Sequence, residues 1–148
     1  MKKQVTIIAA TVVATFIFAF AAQAQTSRAA GLRATIPFEF QVGNQVLPAG
    51  EYTVTCLNPT SPNRILNLST KDGSKVVIQT SDKMGKSDDN ARLVFHRYGD
   101  KYFLSQAWLP ADETGLAIQK SRAEKAMERQ LAGVRPRTTS VALNAIRK

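Results

Sequence analysis

Apolar and polar residues alternate in short runs along this chain, and each run ends at a turn signal. The clearest example is LVFHRYGDKYFLSQAW at residues 93–108, where Gly99-Asp100 separates two alternating halves. Alternation with a period of two is typical of half-buried strands, and a two-residue turn containing glycine is typical of a β-hairpin. This pattern predicts that one face of the hairpin carries Leu93, Phe95, Tyr102, Leu104 and Trp108. It predicts that the other face carries His96, Tyr98, Lys101 and Phe103.

Further strands are predicted at residues 34–42, 51–57, 65–70, 75–80 and 116–118, with one more at residues 141–143 as an option. Pro37 cannot donate to a β-ladder, so the first strand is expected at an edge or irregular there. After these strands the period changes. Ser121 and Glu124 form a capping-box pattern, an apolar stripe is expected at Ala123, Ala126, Met127 and Leu131, and Gly133 is a predicted C-cap. The predicted fold is mainly β, an antiparallel β-sandwich or small open barrel of about six to eight strands with one C-terminal amphipathic helix.

The N-terminal residues have the pattern of a secretory signal peptide. Lys2 and Lys3 precede an uncharged apolar stretch at residues 5–22, and Ala22-Gln23-Ala24 follows the small-x-small rule. Cleavage is therefore expected between Ala24 and Gln25, which predicts an exported protein, periplasmic or secreted. Retention of the segment as a membrane anchor is the alternative, because about 17–25 apolar residues can span a bilayer.

Four segments follow from these patterns: a signal peptide at 1–24, a flexible lead-in at 25–33, a single β-rich domain at 34–133 and a basic tail at 134–148. The formal net charge is +9, and eight basic but only two acidic side chains lie within residues 120–148. Clustered Lys and Arg residues bind anionic polymers through release of counterions. The candidate contacts are Lys120, Arg122, Lys125, Arg129, Arg135, Arg137, Arg147 and Lys148. A role in solubility alone is the alternative.

Few residues suggest catalysis or metal binding. The chain has one histidine, His96, and one cysteine, Cys56. A single histidine is too few for the usual zinc sites, so His96 is interpreted as a packing or hydrogen-bonding residue. Cys56 is interpreted as a buried inert thiol, with an intermolecular disulfide or a reactive thiol as the less favoured alternative. No cofactor and no metal are predicted.

Carboxylates supply two weaker hypotheses. Asp82, Asp88 and Asp89 lack the spacing of a calcium loop and are interpreted as a solvated loop. Glu39 and Glu51 flank a turn and could form the carboxylate pair of a hydrolase.

Aromatic residues suggest two other binding modes. Tyr98, Tyr102 and Trp108 could form an aromatic surface that stacks on sugars or bases, although a place in the core is favoured for Trp108. An open barrel could instead carry a small apolar ligand in a void lined by Phe38, Phe40, Phe95 and Leu104.

Several motifs resemble those of a group of uncharacterised exported bacterial proteins. They are LPAGEYTV at residues 47–54, RYGDKYFLSQAW at 97–108 and KSRAEK at 120–125. The resemblance implies one unitary domain between about Ile36 and Lys125, and it implies no functional residues.

The leading hypothesis is an exported, non-enzymatic, envelope-associated binding or structural protein that contacts anionic polymers through its basic C-terminus. The partners would be such polymers or another envelope protein, without specific recognition of nucleic acid. The small apolar-ligand carrier and, less favoured, the carboxylate-dependent hydrolase are the alternatives.

Overall fold

The computed structural model describes residues 31–83, 85, 90–110, 114–132 and 134–146. The predicted signal peptide therefore lies outside the described residues. The elements are β1 (Leu32–Ile36), β2 (Phe40–Val42), β3 (Gln45–Leu47), β4 (Gly50–Leu57), β5 (Ile65–Ser69), β6 (Lys75–Lys83), β7 (Arg92–Tyr98), β8 (Lys101–Trp108), β9 (Gly115–Ile118), α1 (Arg122–Gln130), β10 (Arg137–Ala142) and β11 (Asn144–Ala145).

These strands build a closed antiparallel barrel of eight strands with additional short strands. The order around the barrel is β10-β7-β8-β9-β6-β5-β4-β1-β11. Only Leu143 separates β10 from β11. Together the two strands close the barrel, because β10 pairs with β7 and β11 pairs with β1. The predicted mainly β fold with one helix is confirmed; of the sandwich and the open barrel that were predicted as alternatives, the structure is nearer to the barrel, and it is closed.

The barrel interior is filled by alternate side chains from its strands. In β1 the inward residues Leu32, Ala34 and Ile36 are buried, while the residues between them are exposed. Phe40 and Phe95 are among the largest fully buried side chains, with ring centroids 5.4 Å apart. An eight-stranded barrel is just wide enough for side chains to fill, so this aromatic packing is what the geometry requires.

The β7–β8 hairpin contains a bulge that alters the predicted faces. The turn at Gly99-Asp100 is as predicted, but Val94 pairs with Gln106 and Phe95 with Leu104, which leaves Ser105 as an extra residue. Ser105 Oγ donates to the Val94 carbonyl at 2.9 Å. The extra residue reverses the alternation beyond it, so the prediction that Trp108 shares a face with Leu93 is wrong; Ala107 is the partner of Leu93.

The first predicted strand is divided in two. β1 ends at Ile36, β2 starts at Phe40, and Pro37 lies between them. β1 pairs with β4, whereas β2 pairs with β3 and, at Gln41, with β8. The irregularity expected at Pro37 is therefore present as a switch of partner strand.

Both ends of the predicted domain require correction. β1 begins at Leu32, inside the segment predicted as a flexible lead-in, and residues 137–145 form β10 and β11 rather than a tail outside the domain. The basic composition concealed the strand pattern, because Arg137, Thr138 and Ser140 are polar and exposed while Leu143 is buried. The domain's C-terminal boundary therefore moves from residue 133 to residue 145.

The helix begins as predicted but docks through different residues. Ser121 Oγ accepts the Glu124 N–H at 3.1 Å, which confirms the N-cap. The Glu124 carboxylate does not complete a capping box, because it is buried against β7. Ala123 and Ala126, predicted for the apolar stripe, are exposed. Gly133, the predicted C-cap, lies outside the described residues.

Among the described residues, no helix has the length and hydropathy needed to cross a membrane.

Candidate functional site

A groove lies where the segment between α1 and β10 passes beside the β7–β8 turn. Its volume is about 280 Å³. The turn and the adjoining end of β7 supply one wall, and the α1–β10 segment with the first residue of β10 supplies the other. The lining residues are Arg97, Tyr98, Gly99, Leu131, Val134, Arg135 and Arg137. Three of these seven carry a permanent positive charge, so the groove is strongly cationic.

Barrel closure brings two of the arginines face to face. Arg137 is the direct partner of Arg97 in the antiparallel β10–β7 ladder. Directly opposed residues have Cα atoms about 4.5–5.5 Å apart, and like charges in such positions destabilise a sheet. The pairing therefore places two permanent positive charges on neighbouring strands, at residues that line the groove.

Arg97 is held in place by its own surroundings. Its Nε donates to the Gly99 carbonyl at 2.7 Å, and its guanidinium carbon lies 5.4 Å from the centroid of the Tyr102 ring. Tyr102 is in turn stacked on Phe38, with ring centroids 3.9 Å apart. These contacts restrain the Arg97 side chain, and a restrained side chain loses less entropy on binding.

The acidic side chains of α1 are already engaged elsewhere. Lys120 Nζ lies 2.7 Å from Glu128 Oε1, and this contact lowers the pKa of Glu128 and raises that of Lys120. Glu124 is buried against β7. Among the described residues, no ion pair joins a carboxylate to Arg97, Arg135 or Arg137. Hence the charge of the groove is not neutralised from within the described part of the chain.

The predicted basic contacts divide into four groups. Arg135 and Arg137 line the groove, whereas Arg122, Lys125 and Arg129 are exposed on α1 without lining it. Lys120 is paired with Glu128. Arg147 and Lys148 lie outside the described residues.

A polar cluster lies beneath α1. His96 Nδ1 and Glu124 Oε1 are 2.7 Å apart, and the Tyr98 hydroxyl donates to the same carboxylate oxygen at 3.4 Å. Glu124 is only 2 % exposed. Burial, followed by the nearby Glu124 charge, raises the pKa of Tyr98. This cluster attaches the helix to β7 and so fixes the position of the α1–β10 segment.

The three aromatic residues predicted as an exposed surface do not form one. Tyr98 and Trp108 are 4 % and 5 % exposed, and Tyr102 is half-buried on Phe38. Trp108 is covered because the bulge turns it to the outer face of the barrel, where Arg92 lies over its ring at 5.3 Å. A core place for Trp108 was favoured from the sequence, and the ring is indeed buried, though outside the barrel interior.

Four side chains predicted to line an apolar void lie within the packed core. Phe95 contacts Phe38 edge-on with ring centroids 5.1 Å apart, and Phe40 lies at 5.4 Å on another side. Leu104 belongs to the same buried cluster. Phe40, Phe95 and Leu104 are thus buried in the core, and Phe38 is half-buried against it.

The carboxylates considered for other chemistry are dispersed. Glu51 pairs with Lys71 and Arg33, which lower its pKa, and Glu39 is exposed between β1 and β2. Asp82 accepts from Arg64 at 2.7 Å, while Asp88 and Asp89 lie outside the described residues. Within the described ranges, no group of three or more His, Cys, Asp or Glu side chains could hold a metal ion. Cys56 is half-buried rather than fully buried.

Comparison of the chain with protein-family models, with curated proteins and with solved structures gives no match.

Sequence reasoning missed Arg97, Tyr98, Leu131 and Val134 as groove residues. Arg97 and Tyr98 sit beside a correctly predicted turn, but nothing local shows that a strand 40 residues later pairs with them. The register of β10 on β7 is a property of barrel closure, so no single segment could reveal it.

Proposed function

We propose that this chain is an exported, non-enzymatic envelope protein that binds anionic polymers through a basic surface. This surface consists of the cationic groove and the adjacent exposed cations of α1, Arg122, Lys125 and Arg129. The barrel serves as a rigid frame that holds the surface in one shape. Polymers of this chemistry include phosphorylated and carboxylated polymers of a cell envelope.

One observation carries the proposal: closure of the barrel collects Arg97, Arg135 and Arg137 at a single groove. Within the described residues these arginines have no carboxylate partner. An arginine fork matches the oxygens of phosphate and carboxylate groups and remains charged at any physiological pH. A row of such groups binds a polyanion with an affinity that falls steeply as salt concentration rises.

Export is the second part of the proposal and rests on residues 1–24. An uncharged stretch follows two lysines and ends at Ala22-Gln23-Ala24. The expected mature protein begins at Gln25 and contains every described strand. Fractionation of cells and the intact mass of the protein test this: a chain outside the cytoplasm with the mass of residues 25–148 agrees with it, and an uncleaved chain found only in the cytoplasm contradicts it.

Binding is tested by retention of the chain that begins at Gln25 on an immobilised polyphosphate, across a salt series. The test variant is the pair Arg135→Gln with Arg137→Gln. The matched control is Lys71→Gln with Lys75→Gln, which removes the same charge from the β5–β6 hairpin, a hairpin that pairs with neither β7 nor β10. Deletion of residues 134–148 is unsuitable, because it would remove the strands that close the barrel.

We expect the wild-type chain and the control to elute at similar salt concentrations and the arginine variant to elute clearly earlier. Each lost phosphate contact lowers the slope of log affinity against log salt by about 0.7–0.9. Equal elution of both variants would assign retention to net charge alone and overturn the role of the groove.

A further inference from the structure

The groove combines charged and apolar side chains in a way that a purely electrostatic surface does not require. Val134 is 60 % exposed, and half-buried Leu131 lines the groove beside it. Val134 immediately precedes Arg135, so an exposed apolar side chain adjoins the cationic ones. A ligand that fills this groove therefore gains by carrying an apolar group next to its charge.

The volume of the groove limits how much of such a ligand it can hold. Small-molecule sites usually measure about 300–1,000 Å³, and this groove is at the lower limit with about 280 Å³. That space suits a charged headgroup and the first atoms of an attached apolar chain. It does not suit a long acyl chain in full.

The arrangement of the arginines indicates the headgroup. Arg97 and Arg137 are paired across the ladder, and Arg135 lies two residues from Arg137. Three arginines lining one small groove favour a ligand with more than one negative charge and several acceptor oxygens. A phosphate monoester has three terminal oxygens and a charge of about −1.5 to −2 at pH 7, whereas a carboxylate has two oxygens and a single charge.

We propose that the groove between α1 and the β7–β8 turn is a binding site for a phosphate monoester that bears an apolar group. Arg97, Arg135 and Arg137 hold the phosphoryl oxygens, and Leu131 and Val134 contact the apolar group. The inference rests on the proposed function, since it names the anion that the same surface recognises. Its source is either a free phosphorylated amphiphile or the headgroup of a phosphorylated lipid.

Calorimetric titration at physiological salt tests the site, with the chain that begins at Gln25 and with octyl phosphate and inorganic phosphate as probes. We expect octyl phosphate to bind about tenfold tighter than inorganic phosphate, since burial of about two methylene groups supplies that factor. Val134→Ser should reduce this difference, because octyl phosphate loses an apolar contact that inorganic phosphate does not make. The Arg135→Gln, Arg137→Gln pair should weaken both probes by about tenfold or more.

Equal affinity for the two probes, unaffected by Val134→Ser, would overturn the apolar part of the site. If neither probe binds but retention on polyphosphate is still salt-sensitive, this site is overturned and the proposed function stands. If neither probe binds and the chain is not retained on polyphosphate, both the site and the proposed function are overturned. Val134 is exposed, so its variant is expected to fold.

A vesicle arm distinguishes the two sources of the ligand. Vesicles of phosphatidylcholine containing phosphatidic acid present the phosphate monoester in a membrane, and vesicles with phosphatidylglycerol present a diester of lower charge. Binding to the first but not the second, with dependence on Arg135 and Arg137, indicates a lipid headgroup. Binding of octyl phosphate without binding to either vesicle indicates a free amphiphile.

Discussion

At the scale of single residues, Glu124 connects the helix to the barrel. Its carboxylate is buried and contacts both His96 and Tyr98. A buried carboxylate is tolerated only when its oxygens have partners, and here both partners come from one strand. The sequence suggested that Glu124 caps its own helix; the structure shows that it instead determines where the helix lies.

Glu124→Ala is expected to lower the free energy of unfolding by about 1–3 kcal/mol, because the polar groups of His96 and Tyr98 lose their buried partner. Urea denaturation of the purified variant measures this. Glu128→Ala is the control on the same helix, since it removes a partly exposed pair with Lys120 and should cost much less. Equal losses for the two variants would contradict the role assigned to Glu124.

The environment of Tyr98 links the free energy of unfolding to alkaline pH. Burial and the Glu124 charge raise its pKa above the ordinary value of 10.0. The folded state therefore favours the protonated phenol, and the stability that this contributes is present below pH 10 and is lost as pH rises through the raised pKa.

The free energy of unfolding should accordingly decline more steeply above pH 10 in the wild-type chain than in Tyr98→Phe. Denaturation at a series of pH values measures the difference, and phenolate absorbance reports the titration directly. Parallel declines in the two proteins would show that Tyr98 is not linked to folding in this way.

At the scale of elements, the bulge at Ser105 determines which side chains of β8 lie inside the barrel. It directs Ala107 inward and Trp108 outward, where the indole ring lies against the backbone of β9. A Cβ atom at Gly115 would lie 2.9 Å from Trp108 Cε2 and Cζ2. The glycine is therefore required by the close approach of the ring to the strand.

Gly115→Ala is expected to destabilise the fold by about 1–3 kcal/mol, because the added methyl group displaces a buried indole. Gly50→Ala is the matched control in another strand, where the nearest atom to an added Cβ is 3.9 Å away, on Tyr52. Thermal unfolding of both variants measures the contrast. An unperturbed Gly115→Ala would contradict the packing of Trp108 on β9.

Local sequence patterns predicted most strands and the helix, but not which strands pair with one another. The turn at Gly99-Asp100 and the helix start at Ser121 follow from chemistry within a few residues. The bulge cannot be predicted in this way, since Ser105 becomes the extra residue only through the register that pairs Val94 with Gln106 and Phe95 with Leu104. The sequence predicted part of the groove. Arg135 and Arg137 were identified by their charge, whereas the presence of Arg97 in the groove depends on the register of a strand distant in sequence.

At the scale of the whole molecule, closure by β10 and β11 joins the two edges of the sheet. Without these strands β7 and β1 would each have a free edge and Leu143 would leave the core. A chain ending at residue 136 is expected to lose cooperative unfolding and to associate through its exposed edges. Calorimetry and light scattering measure this, and a monomeric truncated chain with an unchanged transition would contradict closure by these strands.

The central claim is that the fold creates an anion-binding groove from residues remote in sequence. Titration of isotopically labelled protein, beginning at Gln25, with short-chain polyphosphate, followed by amide and guanidinium NMR shifts, tests this most directly. The account predicts that the largest shifts cluster at Arg97, Gly99, Val134, Arg135 and Arg137 and diminish with added salt. Shifts spread evenly over the exposed lysines and arginines, or centred on the β5–β6 hairpin, would contradict it.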